Sequence, residues 1–366
     1  VPRTINPNIT YVGSALRQAR YAMSQRHAMR YLMHRARWSL LPRWRRVSAF
    51  PEHVDIETAS ACQMACPMCF QTVRGDVPRG VMDPALFRRV MDEVAARRPY
   101  SIRLSWRGEC LLHPQFAELL AYARQRFSGS ISFLTNALAL DEALMERIVA
   151  AQTDYIVISA DGVGRTYEAV RRPARFDDLV RKLERLRDIR RANGSRFPRV
   201  RINAVSTWLT AGERREFVET FQPLTDAILI GEMLSNFAEY TPPHDPDAFC
   251  ASPWQRLLVG WDGSVHPCCC DVAGKYSLGN VADASLAQMW RGGRLTALRR
   301  AIASGRRLSI PLCRDTDCGV DENDNEASEE FMDLLRAQVM RQHGVESPLL
   351  GYLRGGARSG AGEEAA

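Results

Sequence analysis

From His53 onward the chain alternates between short runs rich in β-branched residues and longer stretches with apolar residues three and four apart. The runs predict strands at His53–Thr58, Ile102–Trp106, Ser130–Thr135, Tyr155–Ser159, Val200–Val205 and Ala227–Ile230. The stretches between them predict helices at Pro84–Arg97, Pro114–Phe127, Asp141–Ala150, Phe176–Ala192 and Glu213–Phe221. Several open near Asp or Pro, residue types that satisfy or dispense with the first unpaired N–H groups of a helix. Strand–helix alternation of this kind predicts a parallel sheet with right-handed crossovers, either doubly wound or closed toward a barrel. About six such units are visible, short of the eight in a full (β/α)₈ barrel. There is no dinucleotide fingerprint and no Walker A loop.

The texture changes at Thr241. Thr-Pro-Pro-His-Asp-Pro-Asp (241–247) reads as a linker. Leu257–Trp261 and Ser264–Cys268 then flank Asp262-Gly263, a strong hairpin signal. Helices are expected at Ser285–Trp290 and Leu295–Ile302, followed by Cys313 and Cys318. An acidic run, Asp321–Glu330, leads to a last helix around Phe331–Gln342, and the Gly/Ala/Glu-rich stretch from Gly355 is expected to be disordered.

Composition adds a compartment and an asymmetry. Hydrophobic residues make up 46% of the 366 and charged residues 25%, with no apolar run approaching a membrane span. Val1–Ala49 lacks the apolar core and cleavage site of a signal peptide, so a cytoplasmic protein is expected. The formal charge is +7, yet no Asp or Glu precedes Glu52 while ten arginines do. Such a basic arm either meets an acidic partner, nucleic acid or an anionic membrane surface, or packs on the body of the protein as an amphipathic helix with a solvated arginine face.

Ten cysteines in a cytoplasmic chain point to metal or redox chemistry rather than a disulfide framework. Cys62, Cys66 and Cys69 form CxxxCxxC directly after the first predicted strand. Three thiolates hold three irons of a [4Fe–4S] cubane and leave the fourth open to a chelating molecule. Structural zinc takes four ligands, usually as two CxxC-like pairs, and a redox CxxC would not need Cys62.

With this loop the chain resembles the radical S-adenosylmethionine superfamily. The resemblance implies a partial (β/α)₆ TIM-like barrel and a cluster whose open iron binds the methionyl amine and carboxylate. It further implies reductive cleavage of the sulfonium to a 5′-deoxyadenosyl radical that takes a hydrogen from substrate, with a small electron carrier such as flavodoxin or ferredoxin as donor. Other segments match in order. Trp106-Arg107-Gly108-Glu109-Cys110 stands where the family has a GGEP-like motif, with Arg107 for the first Gly and Cys110 for the Pro. Gly108 would allow close backbone approach, and Glu109 would accept from the methionyl ammonium. Thr135-Asn136 ends the third strand. Ser159-Ala-Asp161-Gly162 ends the fourth and resembles the family's S-x-D-G segment, whose Ser can bond the ribose. Arg171 resembles the arginine that pairs with the methionyl carboxylate, with Arg172 an equal rival by register, and Met68 stands where an apolar residue touches adenine.

The tail resembles a SPASM-type extension in its shortened, twitch form. It has CX₁₂GX₄C from Cys250 through Gly263 to Cys268, then Cys313 and Cys318. Those four cysteines would complete an auxiliary [4Fe–4S] cluster, although a Cys₄ zinc knuckle fits the same count. Cys110, Cys269 and Cys270 remain. Cys269 or Cys270 could replace Cys268 as ligand, and any of the three could give a hydrogen atom to a substrate radical. His113, in Leu-Leu-His-Pro, is expected to pack or cap near the next helix.

The organisation expected is therefore a basic helical arm (1–50), a radical S-adenosylmethionine partial barrel (51–240), a small cysteine-rich hairpin and helix domain (241–320), and a helix with a disordered tail (321–366). The resemblance implies oxidation or epimerisation of a small carbohydrate-like or aminocyclitol substrate, or else modification of a ribosomally made peptide. A reading from another class is a non-catalytic iron–sulfur or zinc protein that binds nucleic acid through its arm.

Overall fold

A computed structural model describes residues 4–5, 25–205, 208–231 and 249–315. Helix α1 (Ala28–Arg43) precedes the sheet. Strand β1 (His53–Ile56) leads into the cysteine loop and then α2 (Pro84–Arg97). There follow β2 (Ser101–Arg103), α3 (Phe116–Arg126), β3 (Ser130–Thr135) and α4 (Glu142–Ala150). The chain continues through β4 (Tyr155–Ser159), α5 (Gly164–Val170), α6 (Phe176–Ala192), β5 (Arg199–Val205), α7 (Ala211–Phe221) and β6 (Ala227–Gly231). The helix starts have local causes. Asp83 Oδ1 accepts from the N–H groups of Ala85 and Leu86, at 2.8 and 3.1 Å, with Pro84 at the first helical position. Asp141 caps α4, and Thr210 with Glu213 forms a capping box at α7.

Strands β1 to β6 are parallel and lie in sequence order. A doubly wound sheet would reverse direction part-way, so this winding is that of an open (β/α)₆ barrel. Side chains alternate across it. Ile102, Ile131, Phe133, Ile156, Ile158 and Ile202 are fully buried and share one core with Phe87, Leu119, Leu183 and Phe217 of the helices. The opposite, concave face carries Arg103, Ser132, Tyr155, Ser159, Arg201 and Asn203, all half-buried.

The hairpin is where expected, as β7 (Arg256–Val259) and β8 (Ser264–His266), and β9 (Gly279–Asn280) pairs with β8. Gly263 turns it with φ at +82°, in the left-handed region that disfavours side chains. Its placement is not visible in the sequence. β7 runs parallel to β1, in register from His53↔Arg256 to Ile56↔Val259, so the cysteine-rich segment extends the barrel sheet to nine strands. Helices α8 (Leu286–Arg291) and α9 (Gly293–Ala303) and the turn Pro311–Arg314 follow.

Helix α1 does pack on the body, with His34, Trp38 and Pro42 buried. Its outward side is mixed: Arg37 and Arg43 are exposed, as expected of a solvated arginine face, but so are Met29, Leu32 and Met33. The linker with His244, Cys318, the acidic run and the last helix lie outside the described residues.

Candidate functional site

The site gathers at the C-terminal ends of the strands. The loop after β1 holds Cys62, Cys66 and Cys69; all are free thiols, Cys66 buried and the other two half-buried. Its shape is fixed by neighbours on several strand ends. Cys69 N–H donates to the Cys66 carbonyl at 3.0 Å, and Ala65 N–H to the Arg172 carbonyl at 2.9 Å. The Gln71 amide, which sequence reasoning missed, donates to the Ser60 carbonyl at 2.6 Å.

The segment after β2 docks against this loop. Glu109 N–H donates to the Ala61 carbonyl at 2.8 Å. A Cβ on Gly108 would lie 2.3 Å from the Ser60 carbonyl carbon and 2.5 Å from the Ala61 oxygen, so only glycine fits. The Glu109 carboxylate is buried at 2% exposure and oriented by three donors. Thr135 Oγ1 and Leu111 N–H donate to Oε1 at 2.7 and 3.1 Å, and Asn136 N–H to Oε2 at 2.7 Å. Burial pushes this carboxyl above its ordinary value, against the donors that favour the ionised form.

Two further donors face the cysteines. Asn136 Nδ2 lies 3.7 Å from Cys62 Sγ, and Arg171 Nη1 lies 3.8 Å from Cys66 Sγ. Arg171 is also ion-paired to the buried Asp161 carboxylate. Arg172 is exposed and turns to the Ala169 carbonyl, so the fold brings Arg171 and not its neighbour to the loop. Burial raises the thiols of Cys62, Cys66 and Cys69. Three thiols on one loop, with an amide and a guanidinium near sulfur, form a donor set suited to a thiolate-bound cluster, whose positive irons would offset that burial. Met68 is half-buried in the same loop. Ser159 ends β4 opposite Asn203, whose Oδ1 is buried with no hydrogen-bond partner among the described residues.

Arg107, which stands where the resemblance led us to expect glycine, belongs to a different structure. Its guanidinium is bound by the buried Glu57 at 2.8 Å (Nε to Oε1), reaches the Val272 carbonyl at 3.3 Å and stacks on Trp106. Trp106 in turn donates from Nε1 to the Cys269 carbonyl at 3.1 Å. The segment that shapes the first cysteine loop is thus tied directly to the second.

In that second loop Cys268, Cys269 and Cys270 hold their sulfurs within 4.8 Å of one another. Asp271 organises the turn, accepting from Lys275 and Tyr276 N–H at 2.8 and 2.9 Å, with His266 Nδ1 at 2.8 Å. Arg256 Nη2 donates to Cys269 Sγ at 3.1 Å. Hydrogen bonds from the adjacent thiols, then the Arg256 charge, hold the Cys269 thiol well below its ordinary value. Cys270 lines a cavity of about 210 Å³ with Tyr276, Pro311 and Leu312, the turn that carries Cys313. Cys250 is half-buried at the end of a two-residue strand that pairs with Thr4–Ile5.

Cys110, a candidate hydrogen donor, lies inside the core beside Glu109. Its side chain has no exposure and its thiol donates to the Leu134 carbonyl at 3.3 Å, the Cys110–Leu112 turn folding it inward. His113 is a packing residue, with Nδ1 accepting from Gln115 N–H at 3.0 Å and Nε2 at 2.9 Å from the Met82 carbonyl.

Comparison with known proteins agrees with this geometry. A model of the radical SAM superfamily matches residues 56–198, and one of the SPASM iron–sulfur cluster-binding domain matches residues 250–319. The chain is 22% identical over 323 residues to the tungsten-containing aldehyde ferredoxin oxidoreductase cofactor-modifying protein of Pyrococcus furiosus, covering 74% of this chain and 87% of that one. It is 21% identical over 274 residues to the S-adenosyl-L-methionine-dependent 2-deoxy-scyllo-inosamine dehydrogenase of Niallia circulans, covering 72% and 91%. To the PqqA peptide cyclase of Xanthomonas oryzae it is 27% identical over 158 residues, covering 42% and 40%. In fold it is similar to the crystal structure of BtrN in complex with AdoMet and 2-DOIA, with TM-score 0.52, 16% identity and coverage of 74% and 94%. A [4Fe–4S] cluster, S-adenosylmethionine and auxiliary iron–sulfur binding come with these two domains. The chain is a radical S-adenosylmethionine enzyme with a C-terminal SPASM domain.

Proposed function

We propose that this enzyme oxidises or epimerises a small, polar, carbohydrate-like or aminocyclitol substrate. The observation that carries the reading is the concave face of the barrel. Arg103 and Tyr155 on this face are engaged by Asp55 and Gln25, but toward the strand C-terminal ends Ser159 and Asn203, the latter with Oδ1 lacking a hydrogen-bond partner among the described residues, offer polar groups suited to a hydroxyl-rich molecule. The likeness to an aminocyclitol dehydrogenase over most of both chains supports it. The likeness to a peptide cyclase supports a second reading, modification of a peptide, over a smaller share of the chain.

In this reading Cys62, Cys66 and Cys69 hold the first cluster. Glu109 receives the methionyl ammonium, Arg171 the carboxylate, Ser159 the ribose and Met68 the adenine, while Gly108 keeps the two loops in contact. Cys250, Cys268, Cys313 and Cys318 hold the auxiliary cluster, with Cys269 or Cys270 as rivals to Cys268 or as hydrogen donors. The cofactors supply reductive cleavage of the sulfonium and radical hydrogen abstraction; the chain orients them and excludes water. The domain division at 50, 240 and 320, and an electron carrier of the flavodoxin or ferredoxin class, belong to the same reading. A cytoplasmic setting belongs to the same reading, since thiolate ligands persist best in a reducing compartment.

The test is anaerobic reconstitution with a strong reductant, S-adenosylmethionine and a panel of aminocyclitols and sugars. Substrate-stimulated 5′-deoxyadenosine with a product two hydrogens lighter indicates dehydrogenation. One deuterium gained from solvent at unchanged oxidation level indicates epimerisation. Turnover only with a peptide would overturn the small-molecule reading.

A further inference from the structure

Helix α1 lies across the end of the barrel remote from the cysteine loop. It and the residues just before it bind groups that precede strands: Arg26 binds Asp154 before β4, Arg30 reaches the Pro99 carbonyl before β2, and Arg37 binds Glu52 before β1. The Gln255 amide, before β7, donates to the Trp38 carbonyl, and His34 stacks on Tyr100 with ring centroids 4.1 Å apart. The helix therefore closes the base of the barrel with its buried face.

Its other face is apolar and open. Met29, Leu32 and Met33 are 68%, 46% and 52% exposed, followed beyond the helix by Trp44 at 63% and Val47 at 41%. These are five of the seven large exposed hydrophobic side chains among the described residues, so the patch is concentrated and not the usual scatter. Positions i, i+3 and i+4 form one stripe. By helical register Arg30 and Arg37 border it on one side and Arg35 on the other, with Arg43, Arg45 and Arg46 at its end. No carboxylate lies on the helix, and the two it and its approach meet, Glu52 and Asp154, are ion-paired to Arg37 and Arg26.

We propose that this face docks on an anionic lipid surface, with the barrel mouth pointing away from it. The helix as a whole is not strongly amphipathic, since its buried face carries Trp38 and Pro42; it is the outward stripe, rimmed by cations and ended by the exposed Trp44, that suits an anionic membrane interface. Charge selects the occupant. A second copy would bring its own arginine rim against this one. Nucleic acid would leave the methionines and leucine without a partner. An electron carrier seated here would stand a barrel's length from the cysteine loop. No described helix is long and apolar enough to cross a membrane, so the association is with the surface.

The test is co-sedimentation of the reconstituted full-length enzyme with vesicles of phosphatidylcholine alone and of phosphatidylcholine mixed with phosphatidylglycerol. Binding is expected to the mixed vesicles only, weakening as salt shortens the Debye length to about 3 Å at 1 M. The variant Met29→Ser/Leu32→Ser/Met33→Ser is expected to lose at least about tenfold in vesicle affinity, since three apolar side chains no longer enter the interface. Its melting temperature and 5′-deoxyadenosine yield should be unchanged, because these residues touch neither core nor site. Failure to bind the mixed vesicles, equal binding to both, or undiminished binding by the triple variant overturns the proposal. So does a dimer in solution that the triple variant dissociates, or an acidic protein that blocks vesicle binding by holding this face more tightly.

Discussion

Arg107 and Glu57 form an ion pair that is almost wholly out of water, with side chains 1% and 0% exposed. The carboxylate also accepts from the Arg107 N–H at 3.1 Å and from Trp261 N–H at 3.3 Å. One pair thus joins the end of β1, the segment after β2 and the hairpin turn. Breaking one side strands the other charge in the core, so Arg107→Ala should lose about 3–5 kcal/mol of stability. Denaturant unfolding of the metal-free protein measures this. A loss under about 1 kcal/mol would mean the pair is solvated.

Gly108→Ala is expected to act locally. The added methyl meets the backbone of Ser60 and Ala61, which cannot rotate away as a side chain could. The loop carrying Cys62 must shift. Iron bound after reconstitution should fall from about eight toward about four per chain, with the auxiliary site kept. Full iron content in this variant would refute the contact.

The same iron count separates the rivals in the second loop. Replacing the true ligand among Cys268, Cys269 and Cys270 by Ala should remove the auxiliary cluster while the first remains, and replacing the others should not. A tail that holds one zinc and no iron in the wild type would make the site a knuckle.

Arg256 is 3% exposed and is shared between Cys269 Sγ and the buried Asp55, whose Oδ2 lies 3.6 Å from Nη1. A cation donating to a sulfur beside a cluster stabilises the reduced, more negative state. Arg256→Gln should therefore lower the auxiliary reduction potential by on the order of tens of millivolts. A redox titration followed by electron paramagnetic resonance reads it, and an unchanged potential at full iron content would show that this arginine is structural only.

Acid should weaken the metal-free fold through two histidines. Burial holds both His34 and His53 below their ordinary value of 6.5, despite Glu52 and Asp55 beside them. Between the folded and unfolded values the unfolded chain binds more protons, so their contribution is full above about pH 6.5 and declines as pH falls through that window. The melting temperature should drop below about pH 6.5, and less steeply in His34→Gln. A drop just as steep in that variant would remove His34 from the account.

Much of the molecule was legible because its signals are local. Helices α2 and α6 have the limits their periodicity predicts, Asp141 caps where a cap was read, and Asp262-Gly263 turns the hairpin. The cysteine loop was legible for the same reason, since its three cysteines lie within eight residues.

What no local pattern holds is which distant groups meet. Arg171 and Arg172 were equal rivals by register for the methionyl carboxylate; the end of α5 turns one inward to Asp161 and leaves the other in solvent. Cys110 follows a site residue in sequence, yet a single tight turn buries its thiol against Leu134. Arg107 read as a departure from pattern, and only its approach to Glu57, fifty residues earlier, explains it. The outward face of α1 is apolar because the inward face is chosen by packing against Tyr100 and Gln255. The sequence alone determined the elements, the cysteine loop and the class of chemistry. The tertiary structure decided that β7 pairs with β1, so that one sheet carries both cysteine sites. That pairing follows from backbone hydrogen bonds between strands some two hundred residues apart, for which hydrophobic alternation sets the faces but not the partner.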